Sequence, residues 1–115
     1  MKLEVKPLSV NQAWKFSGKI MYCTKAYEQL KKDVFLLTRG WKKTEGWIEM
    51  SLEFHIRRFK ASDVDNFAKT TIDALMKAEV IDDDKFIKKL TLEKFLSPKG
   101  EPEFIMVKIE KHEQT

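Results

Sequence analysis

At 115 residues the chain is about one ordinary domain, long enough to bury a core without disulfides or a structural metal. With 43% hydrophobic and 35% charged residues it reads as soluble and globular, and no segment nears the roughly 18 apolar residues of a membrane span. The formal charge of +4 favours a polyanionic partner only modestly, because 18 acidic residues offset 22 basic ones, so where the acids sit matters more than their sum.

Cys23 is the sole cysteine, which excludes an intramolecular disulfide and suits a reducing compartment. The N-terminus alternates apolar and charged residues instead of offering the apolar run of a signal peptide. The expectation is a cytoplasmic protein with no membrane partner.

Leu3 and Val5 alternate with Lys2, Glu4 and Lys6, which predicts a short half-buried strand ended by Pro7. A polar, aromatic-bearing loop is expected from there to about Cys23. Thr24 is a suitable N-cap for a helix with apolar positions Tyr27, Leu30, Val34 and Leu37, and Arg39-Gly40 is its expected stop. From Ile48 the period becomes two: Ile48, Met50, Leu52, Phe54 and Ile56 share one face, and Glu49, Ser51, Glu53 and His55 the other. His55 has no evident partner in sequence.

A helix is predicted from Asp63 to about Ala78. At about 100° per residue, Val64, Phe67, Ala68, Thr71, Ile72, Leu75 and Ala78 fall on one side. Asp65, Asn66, Lys69, Thr70, Asp73 and Lys77 fall on the other, with Asp65, Lys69 and Asp73 as one ridge at i, i+4 and i+8. Phe86 to Phe95 and Phe104 to Ile109 read as two further strands joined by the turn Ser97-Pro98-Lys99-Gly100. The expected architecture is one α+β domain over 1–115 in two layers: two main helices on one face of a small antiparallel or mixed four-stranded sheet.

Two acidic clusters stand out against this basic background. Asp63 and Asp65 open the predicted helix, where backbone N–H groups favour anions, so capping alone accounts for Asp63 as well as metal binding does. Capping explains Asp82-Asp83-Asp84 poorly, although a solvated turn can hold three acids. Separated aspartates are the ligand type of hard ions such as Mg²⁺ or Mn²⁺. The spacing lacks the glycine and terminal glutamate of an EF-hand loop, and one Cys with two His argues against zinc.

The motif Asp63-Val-Asp65-Asn66-Phe67-Ala68-Lys69, then Asp73-Ala74-Leu75, then Asp83-Asp84 before Ile87, resembles the RusA-type Holliday junction resolvases, small endonucleases common in prophages. Pro7-Leu8-Ser9-Val10-Asn11 is similar to that family's opening Pro-x-Ser-x-Asn motif, so the resemblance runs from about Pro7 to Lys94. It implies metal binding by Asp63, Asp65 and an aspartate of the second cluster, with Lys69 also needed for cleavage. Gap-free alignment from Asp73 puts Asp84 at the third carboxylate and Asp83 beside it; the choice among Asp82, Asp83 and Asp84 stays open. This chain departs from the family in carrying Asp82, and Glu79 where glycine is common. The resemblance implies a metal-dependent endodeoxyribonuclease that resolves four-way junctions in recombination and repair, acting as a homodimer without an organic cofactor.

The bottom-up reading agrees with that chemistry. A metal held by Asp63, Asp65 and Asp84 would activate water and stabilise the leaving oxygen. Lys69 would serve a phosphate; its plainer role is an i,i+4 pair with Asp65 or Asp73, worth only about 0.3–0.5 kcal/mol. Arg57, Arg58 and Lys60 are expected against DNA phosphates, with Asn11, Lys15 and Asn66 as further contacts. Trp14, Lys15, Phe16, Lys19 and Tyr22 interleave bases and aromatics, a pattern of nucleotide-stacking surfaces or of edge-of-core packing. Two symmetric nicks require two sites, which a twofold dimer supplies, with Met21, Trp41 and Trp47 as candidate contacts. The rival functions are a non-catalytic junction-binding protein, and a nuclease for flaps or other branched DNA.

Overall fold

The alternating run Ile48–Ile56 forms the central strand, β4, and its even-numbered side chains are all buried while the odd-numbered ones are half-exposed. The structure is a computed structural model, described over residues 1–112. Around β4 lie β1 (Lys2–Leu3), β5 (Ile87–Leu96) and β6 (Phe104–Lys111), in the sheet order β1-β6-β4-β5. The sheet is mixed. Strand β6 pairs antiparallel with both β1 and β4, whereas β5 runs parallel to β4 with Leu52 opposite Leu92.

A parallel pair demands a crossover, and the crossover here carries the acidic motifs. After β4 the chain passes through a 3-10 turn (Val64–Phe67), helix α3 (Ala68–Lys77) and a second 3-10 turn (Asp84–Phe86) before entering β5. Helix α2 (Lys25–Leu37) packs beside α3, and Tyr27, Leu30, Val34, Ile72, Ala74 and Leu75 are buried against the even-numbered face of β4 and its neighbours Ile105 and Val107. The architecture is therefore the expected α+β one. Burying a Leu- or Ile-sized side chain in this layer stabilises the fold by roughly 1.5–3 kcal/mol.

Four local expectations change. The supposed loop before Cys23 is ordered: helix α1 (Val10–Ala13) leads into a hairpin of β2 (Trp14–Ser17) and β3 (Ile20–Cys23). Ser9 opens α1 with a capping box to Gln12, and Gly18 takes φ 64° in the two-residue turn, a conformation that suits glycine there. The single helix from Asp63 is a 3-10 turn followed by an α-helix, and the tighter winding displaces the wheel. Thr70, assigned to the polar side, is buried because the chain at Leu8 packs over that flank of α3, and its hydroxyl donates to the carbonyls of Leu8 at 2.6 Å and Phe67 at 3.1 Å. Leu37 is exposed instead of buried, since α2 ends at that residue and Thr38 turns inward to bond the Val34 carbonyl. Phe86 belongs to the 3-10 turn, so β5 begins one residue later than read.

The exit of α3 carries a strained residue. Glu79 adopts φ 61°, its N–H donates to Met76 O, and Val80 N–H donates to Leu75 O. That is a Schellman motif with glutamate at the left-handed position that glycine ordinarily fills.

Candidate metal and DNA site

Lys69 lies in the first turn of α3, and its ammonium is 3.1 Å from Asp73 Oδ1 and 3.8 Å from Asp84 Oδ2. The other oxygen of Asp73, Oδ2, accepts a 2.9 Å hydrogen bond from the Tyr27 hydroxyl of α2. Tyr27 is itself buried, with the Trp14 ring edge-on to it at 5.6 Å. A chain of contacts thus runs from the core through Tyr27 and Asp73 to Lys69 and Asp84, and restricts where the long lysine side chain can go. Burial, then the hydrogen bond and charge of Asp73, push the Tyr27 phenol well above its ordinary range. The Asp73 hydrogen bond and charge, with Asp84 and Asp83 farther off, also raise Lys69. Lys69 is therefore a persistent cation suited to meeting a phosphate, and unsuited to taking a proton.

The three consecutive aspartates separate by task. Asp82 accepts from Gly46 N–H at 2.9 Å and pairs with Lys43 at 2.9 Å, which ties the 43–46 segment down beside the Thr44–Ile81 bridge. Those two contacts, Gly46 first, hold its carboxyl below the usual range. Asp83 caps the second 3-10 turn by accepting from Lys85 N–H at 3.2 Å. The neighbouring Asp83 carboxyl, with partial burial, raises Asp84, while Asp84 and the Lys85 backbone N–H and charge lower Asp83. Two adjoining carboxylates are the donor type that a hard cation takes.

The first cluster looks different. Asp63 and Asp65 are exposed on the 3-10 turn, and Asp63 makes no side-chain capping bond. The ridge of three does not form, since Asp65 precedes the α-helical turns and Lys69 reaches Asp73 and Asp84 instead. Among the described residues no three His, Cys, Asp or Glu side chains converge as a metal-binding group. The donors are thus of the right type for Mg²⁺ or Mn²⁺, and the expected convergence of Asp63, Asp65 and Asp84 is not shown within one chain.

Basic residues flank this region. Arg58, Lys60, Lys15 and Asn11 are exposed, and Asn66 is half-buried on the 3-10 turn. Arg57 is partly committed: its guanidinium donates to Glu101 O at 2.6 Å and its backbone N–H to Glu103 at 3.0 Å. A cleft of about 410 Å³ is lined by Lys6, Ser9, Arg57, Arg58 and Ser62, with Glu103 on its wall. Lys94 holds the segment before Asp63, donating to Phe59 O at 2.6 Å and Ser62 O at 2.8 Å. His55 stacks between Phe95 and Phe104 on the sheet's other face, with centroids 4.8 and 4.0 Å away, far in character from a catalytic setting.

Sequence reasoning missed Tyr27 and Lys94 as supports of the site. Tyr27 gave no signal beyond a core position. Lys94 did give one, since it shares a strand face with Leu90, Leu92 and Leu96, where a charge is out of pattern.

The family profile for endodeoxyribonuclease RusA matches residues 4–110. The chain belongs to the RusA family. No curated protein matches it. Membership makes the protein a nuclease of the endodeoxyribonuclease class, and Holliday-junction resolution is the activity the family stands for. The match begins just after β1 and runs through most of β6, so the RusA assignment applies to the crossover bearing Lys69 and to the hairpin alike. No helix among the described residues is long and apolar enough to cross a membrane.

Proposed function

We propose that the protein resolves four-way DNA junctions by paired symmetric nicks in a Mg²⁺-dependent reaction, as a twofold homodimer in the cytoplasm. The observation that carries this reading is Lys69, a cation bracketed by Asp73 and Asp84 and one element away from the exposed acids Asp63 and Asp65.

In this reading Asp63, Asp65 and Asp84, with Asp83 beside them, would hold the metal. Mg²⁺ when bound supplies a water of lowered pKa and Lewis-acid stabilisation of phosphate charge. Lys69 places its ammonium against the non-bridging oxygens of the scissile phosphate, where charge grows during in-line attack. Tyr27 and Asp73 position that ammonium. Arg58, Lys60, Lys15, Asn11 and Asn66 bind backbone phosphates, and the basic cleft with Lys6, Arg57 and Arg58 takes the strand leading to Asp63. Two cuts related by symmetry need two such sites, which a C₂ pair provides.

The test is cleavage of a labelled mobile four-way junction beside linear duplex and a flap, with wild type, Asp65→Asn and an EDTA control. Paired nicks that vanish in EDTA and in Asp65→Asn, while that variant keeps its junction binding, are expected. Binding without nicks would assign a non-catalytic junction protein, and preferential flap cutting would assign another branched substrate.

A further inference from the structure

Among the described residues the β2–β3 hairpin is held only at its base. There Trp14 meets Tyr27, Thr24 N–H donates to Ala13 O at 2.9 Å, and the Thr24 hydroxyl donates to Gln12 O at 2.7 Å. Beyond those contacts both faces of the ribbon are open. The register sets Phe16 opposite Met21 and Lys15 opposite Tyr22, on opposite sides of the ribbon. Phe16 is 71% exposed and Ile20 70%, and Met21 and Tyr22 are exposed as well. A two-stranded ribbon gains nothing for its own stability by presenting large apolar groups to water at its tip.

Charge indicates what covers them. From Val5 through Tyr27 there is no aspartate or glutamate, while Lys6, Lys15, Lys19 and Lys25 fall in that span. Two copies of an acid-free ribbon meeting about a twofold axis would bring lysines together without countercharge. Four side chains also fall well short of the roughly 20–30 residues per side of a stable protein interface. Phosphate answers the lysines, and unstacked bases answer the flat rings, since every base has a face on which an aromatic can stack.

We propose that the hairpin is a wedge whose Phe16 and Tyr22 stack against bases unpaired at the branch point, with Lys15 and Lys19 on the adjoining phosphates. This rests on the branched-DNA reading above and adds the element that would distinguish a branch from a duplex. A duplex offers the hairpin phosphates without free base faces; a junction offers both.

The experiment is photocrosslinking of the full-length protein, in EDTA, to a four-way junction carrying 5-iodouracil at the exchange point, with the modified peptide mapped by mass spectrometry. A crosslink on Phe16 or Tyr22, absent with the same base within a duplex, is expected. Replacing both residues, Phe16→Ser with Tyr22→Ser, should weaken junction binding about tenfold or more while duplex binding stays within about twofold. Both positions are exposed, and unchanged circular dichroism and duplex binding verify the fold. Crosslinks confined to other residues of a junction-bound protein would overturn the wedge and leave the resolvase reading intact. Dissociation of a dimer by the double substitution would also overturn it, making the hairpin a contact between copies. Failure of wild type to prefer junction over duplex would overturn both.

Discussion

The two acidic clusters lie at opposite ends of one crossover and differ in how the fold treats them. Asp82, Asp83 and Asp84 each have a contact: a backbone N–H and a lysine, a capping bond, and the Lys69 ammonium respectively. Asp63 and Asp65 face solvent from a 3-10 turn, with the capping chance at Asp63 left unused. A carboxylate that the fold employs can be explained by the fold. Exposed aspartates in the family motif that pair with nothing among the described residues are better explained by something outside the chain. By the same contrast Asp82 reads as a structural tie, and Asp84 as the member of its cluster turned toward the site.

The largest expected effect separates those two neighbours. Asp84→Asn should lower junction cleavage by more than about a hundredfold, beyond what a supporting residue usually costs, with junction binding kept. Asp82→Asn should leave cleavage within about twofold, because it loosens an exposed tie and touches nothing in the site. Equal loss in both variants would break the contrast, and single-turnover rates measured side by side decide it.

Next comes the support behind Lys69. Tyr27→Phe removes one hydrogen bond to a charged acceptor, which should cost about 1.5–3 kcal/mol of stability and about ten- to a hundredfold in kcat with little change in KM. Tyr27 also predicts a pH dependence. Its folded pKa is raised, so above about pH 10 the unfolded chain gives up a proton that the folded chain keeps, and stability falls as pH rises. Denaturant titrations from pH 8 to 11 should show a shallower decline in Tyr27→Phe than in wild type.

The smallest effect has the opposite sign. Glu79→Gly relieves a left-handed residue at the end of α3 and should stabilise the protein by about 1 kcal/mol, read as a higher Tm with cleavage unchanged. A lower Tm would mean that the Glu79 side chain contributes more than its backbone strain costs.

Much of this was legible from residues alone. Strand β4 appeared with its inward face correct because a period of two is a property of the backbone, independent of what covers it. Thr24 was legible as the cap of α2, and its side chain does accept from Tyr27 N–H, because capping is local to three residues. Glu79 was recognisable as a departure from glycine, and its positive φ gives the reason. The hairpin before Cys23 was missed even though Ser9 and Gln12 had capping-box spacing and Gly18 marked a turn, because its strands lack the alternation of a half-buried sheet.

The sequence by itself determined the local elements, the polar face of β4, the family motif and the separation of the acids into two groups. Only the tertiary structure decided that β5 runs parallel to β4, that Thr70 turns inward to Leu8, that Tyr27 reaches Asp73 across the α2–α3 contact, and that Asp82 and Asp84 divide their tasks. The physical reason is range. Propensity, periodicity and capping act over a few neighbouring residues, whereas these contacts join positions tens of residues apart and exist only once burial of the common core has closed the chain between them.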